Sequence, residues 1–231
     1  MPLPWKNCEK RLDPPSNSLK PTVALYLSEP GVTPEPLPDK TYRYYTNPRG
    51  GVPVSEAETL EAAVVESAKE RDTTITLAES CTGGAVSTML TSVAGSSAIF
   101  LGGVVSYSYD LKERLLGVSR ETLEREGAVS PACAREMVTG CAERLGGTLQ
   151  LAITGIAGPG GGTMEKPVGL VYMAMQRDCE TTLFEFQFPG DRQGVRYRSV
   201  ESALLLLLYA MNGKDQEKLL SLLCGRRLTG R

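Results

Sequence analysis

Five side chains, spread over more than a hundred residues, carry groups that together could break a polar bond: Ser80, Tyr107, Lys112, Thr154 and Arg192. Two are hydroxyls, one is a phenol, one an amine and one a guanidinium. A serine needs a base to become a nucleophile. The chain contains no histidine, which excludes Ser-His-Asp and Cys-His catalysis and any zinc site built on imidazole. A neutral Lys112 or a Tyr107 phenolate is left as the activator, since burial or a neighbouring cation lowers either pKa. Residue types alone do not choose between them. Cys81 stands beside Ser80 as a rival nucleophile, or as a small core residue.

Ser80 sits in Leu77-Ala78-Glu79-Ser80-Cys81-Thr82-Gly83-Gly84. A β-branched run, Thr73 to Thr76, precedes this stretch and an apolar-periodic run, Ala85 to Leu90, follows it. That order predicts strand, tight turn, helix. Ser80 is then placed near a helix start, where free amides favour developing negative charge. The plainer reading is that Ser80 or Thr82 caps the helix. A second glycine-rich turn, Gly155 to Gly162, brings further amides, Gly155 and Gly158 among them, towards an anion. Arg192 adds bidentate phosphate recognition, or pairs with Asp191 or Glu185. Such a set suits an anionic, phosphorylated substrate. The glycine run fits neither the dinucleotide nor the Walker pattern.

The elements that must position these groups follow from periodicity. A helix is expected from Ser55, by a Ser55-x-x-Glu58 capping box, to Arg71. Strands are expected over 101–107, 149–154, 168–175 and 181–188. Between them lie helices over 110–116, from Ser119, from Ser130-Pro131 to Gly146, and over 192–211. Alternating helices and strands predict an α/β fold, a three-layer α/β/α sandwich with a mixed, mostly parallel sheet, the late strand–turn–strand pair supplying one antiparallel strand. Ligands in such sheets bind beyond the carboxyl ends of the strands. Ser80, Tyr107, Thr154 and Arg192 all fall at exits of that kind.

The flanks differ in character. Residues 1–54 hold eleven of the fifteen prolines and read as a proline-rich arm with one short strand over 22–27. Residues 55–212 are expected to form one domain, and 213–231 an extension with an amphipathic helix around Leu219 to Leu223 and a basic tail. With 231 residues, 41% of them hydrophobic, and a net charge of −2, neither a nucleic-acid nor an anionic-membrane partner is indicated. The six cysteines are dispersed, and Met1 to Lys6 opens no apolar leader segment. Both features lead to an expectation of free thiols in the cytoplasm.

Ala78 to Gly84, Val105-Ser106-Tyr107 leading to Lys112, Gly127-Ala128-Val129-Ser130, Thr154 to Pro159, Lys166 to Gly169 and Gly190-Asp191-Arg192 occur in this order. Over about residues 55–210 the series resembles the CinA C-terminal family, whose members include nicotinamide-nucleotide amidohydrolases. The resemblance implies hydrolysis of the carboxamide of nicotinamide mononucleotide (NMN) in pyridine-nucleotide salvage, without a metal or cofactor, by a homo-oligomer. By motif, Ser80 resembles the nucleophile, and Tyr107 and Lys112 its activating neighbours. Thr154 is similar to a further hydroxyl at the reacting centre. Cys81, Thr82, Gly83, Gly84, Gly155, Gly158 and Arg192 fall at substrate-binding positions. A non-catalytic nucleotide-binding module of the same fold is the alternative.

Overall fold

The computed structural model describes residues 59–213, 219–220, 223 and 225–228; the proline-rich arm and its expected strand lie outside them. Helix α1 (Leu60–Glu70) is capped by Thr59, whose hydroxyl accepts from the Ala62 amide. The expected Ser55-x-x-Glu58 capping box lies outside the described residues. Then come β1 (Ile75–Glu79), α2 (Ala85–Thr91), a 3-10 turn (Ser96–Ala98), β2 (Phe100–Val105), α3 (Tyr109–Leu116) and α4 (Arg120–Arg125). They are followed by α5 (Pro131–Leu145), β3 (Leu149–Gly155), β4 (Leu170–Arg177), β5 (Glu180–Gln187), α6 (Arg192–Asn212) and β6 (Gly225–Leu228).

The six strands form one mixed sheet in the order β2-β1-β3-β4-β5-β6. β1 pairs in parallel with both β2 and β3, and the β3–β4, β4–β5 and β5–β6 ladders are antiparallel. Four strands thus share a direction, and two run against it where one was expected. The hairpin between β4 and β5 turns through Asp178 and Cys179, both at positive φ, as a two-residue turn matched to strand twist requires. β6 is the element that periodicity missed. Gly225-Arg226-Arg227-Leu228 is too short and too charged to show alternation, and it read as a basic tail. As an edge strand it sets Arg226 opposite Glu185, with nitrogen and oxygen 2.7 Å apart.

Strand alternation divides the core in two. Ile75, Leu77, Leu149, Leu151, Ile153, Val171, Met173, Phe184 and Phe186 pack with α1, α2 and α6. Ala78, Ala152 and Ala174, paired across three neighbouring strands, face α5 with Leu170 and Leu183. The alanines keep this face low enough for α5 to lie close. A β-carbon on Gly140 of that helix would fall 1.6 Å from the Leu116 carbonyl oxygen, so only glycine allows α5 and the end of α3 to touch.

Cys81, Cys133 and Cys141 are free and buried. Cys179 is disulfide-bonded, which corrects the expectation of free thiols throughout. Among the described residues no helix is long and apolar enough to cross a membrane.

Candidate active site

Parallel strands bring their carboxyl ends to one edge, and here that edge carries hydroxyls. Ser106 follows β2, Ser80 follows β1, and Thr154 lies near the end of β3. The ladders continue through them: the Ser80 amide donates to the Ile153 carbonyl (3.0 Å) and the Ser106 amide to the Glu79 carbonyl (2.9 Å). By alternation from Ala78, Val104 and Ala152, all three hydroxyl residues face the α3–α5 layer.

α3 enters that layer with Lys112. Ser108 caps the helix, accepting from the Leu111 amide, and Gly117 ends it at a φ of 69°. Lys112 has no solvent exposure. Its Nζ lies 2.9 Å from Ser80 Oγ and 2.5 Å from the Ser106 carbonyl oxygen. A buried ammonium loses its hydration, and two neutral contacts replace it poorly. Burial accordingly holds the Lys112 pKa below its ordinary 10.5. Ser80 itself is 8% exposed, so the pair sits beneath the surface with the serine towards solvent.

The turn after Ser80 is held from two sides. Gly83 and Gly84 take φ of 64° and 90°, values that L side chains adopt only at a cost. Gly84 is the N-cap of α2 and offers no side chain. Glu79 does the capping from below. Its carboxylate accepts from the amides of Gly84 (3.0 Å), Val86 (3.2 Å) and Ser87 (2.8 Å), and from Ser87 Oγ (2.7 Å). Neither Ser80 nor Thr82 caps the helix, contrary to the plainer expectation. The helix-start amides expected to meet an oxyanion are spent on Glu79. The Thr82 amide has no hydrogen bond among the described residues, and the Cys81 amide faces its own thiol. From above, Arg196 of α6 donates to the Thr82 carbonyl (2.8 Å).

Cys81 is buried, and burial pushes its pKa up to about 12 against the pull of its own amide and Lys112. A thiol that keeps its proton is a poor nucleophile at neutral pH. Cys133, across Lys112, is raised to about 11 by the same loss of hydration.

The remaining expected residues form a rim. Tyr107 is 61% exposed, and its hydroxyl accepts from Arg192 (3.1 Å). It has no hydrogen bond to Ser80 or Lys112. Arg192 also donates to the Gly158 carbonyl (2.8 Å), so neither Asp191 nor Glu185 is its partner. Asp191 caps α6 through the Gly194 amide, and Glu185 pairs with Arg226. Gly158 thus meets Arg192 through its carbonyl. At Gly155 a β-carbon would stand 2.6 Å from the Val171 side chain, so this glycine is needed for close strand approach. Thr154 is buried, and its hydroxyl donates to the Ala128 carbonyl (2.7 Å), tying the segment before α5 to the strand end.

Glu79, Ser87, Ser106 and Arg196 were not singled out from the sequence. Only Glu79 left a signal. A carboxylate ending a strand of otherwise buried residues has to find several donors.

A buried serine–lysine pair at the parallel edge of a mixed sheet, faced by an arginine on the last long helix, defines a class of α/β proteins with a histidine-free polar centre. The family model described as the CinA C-terminal domain matches residues 57–211, and the chain belongs to that family. It is 42% identical over 215 residues to a competence-damage inducible protein of Clostridioides difficile, spanning 84% of this chain and 51% of that one. With a CinA-like protein of Thermotoga sp. (strain RQ2) the identity is 43% over 159 residues, spanning 69% of this chain and 39% of the relative. The chain therefore spans about half, or less, of the length of these curated relatives. Among solved structures, it is similar to the competence/damage inducible protein CihA of Agrobacterium tumefaciens. There the TM-score is 0.64 at 39% identity, covering 66% of this chain and 93% of that one. The competence damage-inducible protein A of Klebsiella pneumoniae gives 0.65 at 35%, covering 68% and 97%.

Proposed function

We propose that the chain is an amidohydrolase that converts NMN to nicotinate mononucleotide and ammonia, through Ser80, in pyridine-nucleotide salvage. The observation that carries this reading is the 2.9 Å approach of Ser80 Oγ to a fully buried Lys112 Nζ whose pKa is lowered. A neutral amine takes the Ser80 proton as Oγ attacks the carboxamide carbon. The carbonyl oxygen then becomes an oxyanion, and the Cys81 and Thr82 amides, which Glu79 does not take, are the donors proposed to meet it. Each good donor of this kind is worth roughly 3 kcal/mol. Lys112, now an ammonium, returns the proton to the departing amine, and ammonia leaves. A water repeats the sequence on the acyl-serine: Lys112 removes its proton, the carboxylate is released, and Ser80 recovers its hydrogen. The Ser106 carbonyl orients Nζ throughout. Arg192, exposed at the rim, supplies a guanidinium for the substrate phosphate.

Ammonia release from NMN, followed beside thermal stabilisation by the same nucleotide, tests this reading. Ammonia formed in the presence of a chelator and lost in Ser80→Ala supports it. Stabilisation without turnover would instead make the chain a nucleotide-binding module. The homo-oligomer implied by the family belongs to the same proposal and is checked by the mass of the full chain in solution.

A further inference from the structure

Glu79 precedes Ser80 directly, yet alternation sends the two side chains to opposite faces of the sheet. Its carboxylate is 1% exposed and lies on the α2 side, where it gathers three amides and a hydroxyl at 2.7–3.2 Å. Two of those amides belong to the first turn of α2, and the third to its N-cap, Gly84. α2 has only seven residues and no side-chain cap of its own. The path from Glu79 to Ser87 is therefore closed at both ends by a single residue, and Ser80 to Gly83 is the loop it closes.

The surroundings fit this clamp. Gly103 of β2 has no side chain, and a β-carbon there would lie 2.9 Å from Ser87 Oγ and 3.2 Å from the Leu77 carbonyl oxygen. The bare strand leaves Ser87 the room to reach Glu79. Capturing the Gly84, Val86 and Ser87 amides also withdraws them from any anion at Ser80.

We propose that Glu79 is the positioning residue of the site: through the start of α2 it fixes the 80–84 turn, and with it the direction of Ser80 Oγ relative to Lys112. This rests on the reading of Ser80 as a nucleophile. It goes beyond that reading in assigning the geometry to a carboxylate on the opposite face of the sheet. Glu79→Gln is the informative change. One carboxylate oxygen receives Gly84 and Val86, and the other receives the amide and hydroxyl of Ser87. A glutamine amide, whichever way it is turned, points donors at one of those pairs and loses at least one backbone amide bond, since only the Ser87 hydroxyl can turn and accept instead.

The rate at which phenylmethanesulfonyl fluoride labels Ser80, read by intact mass and peptide mapping on the full chain, tests the proposal without NMN. Glu79→Gln is expected to label roughly 10- to 100-fold more slowly, as a displacement of about an ångström at a reacting centre does. Ser87→Ala, which removes only the hydroxyl bond, is expected to label about threefold more slowly. Thr59→Ala removes the cap of a different helix, α1, and is expected to label at the wild-type rate despite its lower stability. Equal labelling of Glu79→Gln and wild type would overturn the proposal, and so would equal slowing of Glu79→Gln and Thr59→Ala. If Glu79→Gln does not fold, Ser87→Ala decides, and a wild-type rate there overturns it. A wild-type chain that does not label at Ser80 overturns the underlying nucleophile reading, and the proposal with it.

Discussion

Two basic side chains lie at the same sheet edge and are treated in opposite ways. Lys112 is sunk beneath Ser80 with no solvent contact, whereas Arg192 lies exposed at the rim, bonded to Tyr107 and Gly158. The difference matches what each can do. Lysine gives up its proton when dehydrated, so burial turns it into a base. Arginine stays charged in any surroundings, so it serves where charge and geometry are wanted together. On the proposed reading the inner half of the site sets reactivity. The outer half can set only affinity and orientation.

Breaking the inner half should have the largest effect. Lys112→Met, which fills the same buried volume without an amine, is expected to lower kcat by about 10²- to 10⁴-fold with little change in KM. The same substitution carries a stability signature. The folded pKa of Lys112 lies below 10.5, so the unfolded chain binds the extra proton between those two values, and stability rises with pH there. Cys81 and Cys133 act oppositely, because their raised pKa values make the unfolded chain ionise first. The difference in urea midpoint between wild type and Lys112→Met, which share both thiols, reports the lysine together with its pull on those thiols. That difference is expected to move in favour of wild type as pH rises.

The outer half should respond differently. Arg192→Met is expected to raise KM for NMN roughly 10- to 100-fold, the worth of a charged phosphate contact, with a smaller change in kcat. A fall in kcat with KM unchanged would place Arg192 with Lys112 and dissolve the distinction. Thr154→Val, at the boundary of the two halves, leaves the Ala128 carbonyl without its 2.7 Å partner. It is expected to cost about 1–2 kcal/mol of stability by urea denaturation. The smallest effect belongs to Tyr107→Phe. The lost hydroxyl is exposed and, among the described residues, bonds only Arg192, so kcat/KM should fall less than about threefold. A loss as large as that of Lys112→Met would make Tyr107 the base instead.

How far the sequence reached can be judged on the same two halves. Ser130-Pro131, the Gly117 and Gly146 helix ends and the apolar run from Leu149 are local signals, and the elements they predict formed where expected. Bringing Lys112 to Ser80 across 32 residues was left open against Tyr107. Choosing between them takes burial, which neighbours in space decide and spacing does not reveal. Glu79 as the cap of α2 escaped notice because capping rules look at the residue before a helix. This cap comes from the preceding strand. β6 escaped because four residues with two adjacent arginines have no period of their own. It forms because Glu185 and Leu183 on β5 give Arg226 and Leu228 something to face.

The central claim, that a neutral Lys112 takes the proton from Ser80, is met most directly by following the Lys112 side chain itself. NMR titration of a ¹³Cε-labelled lysine, assigned by its absence in Lys112→Met, gives the pKa at that nitrogen. The pH dependence of kcat/KM for NMN on the same protein gives the kinetic one. The account predicts a Lys112 titration below 10.5 that coincides with a rising kinetic limb. A titration at or above the ordinary value, or a kinetic limb that ignores it, would contradict the account.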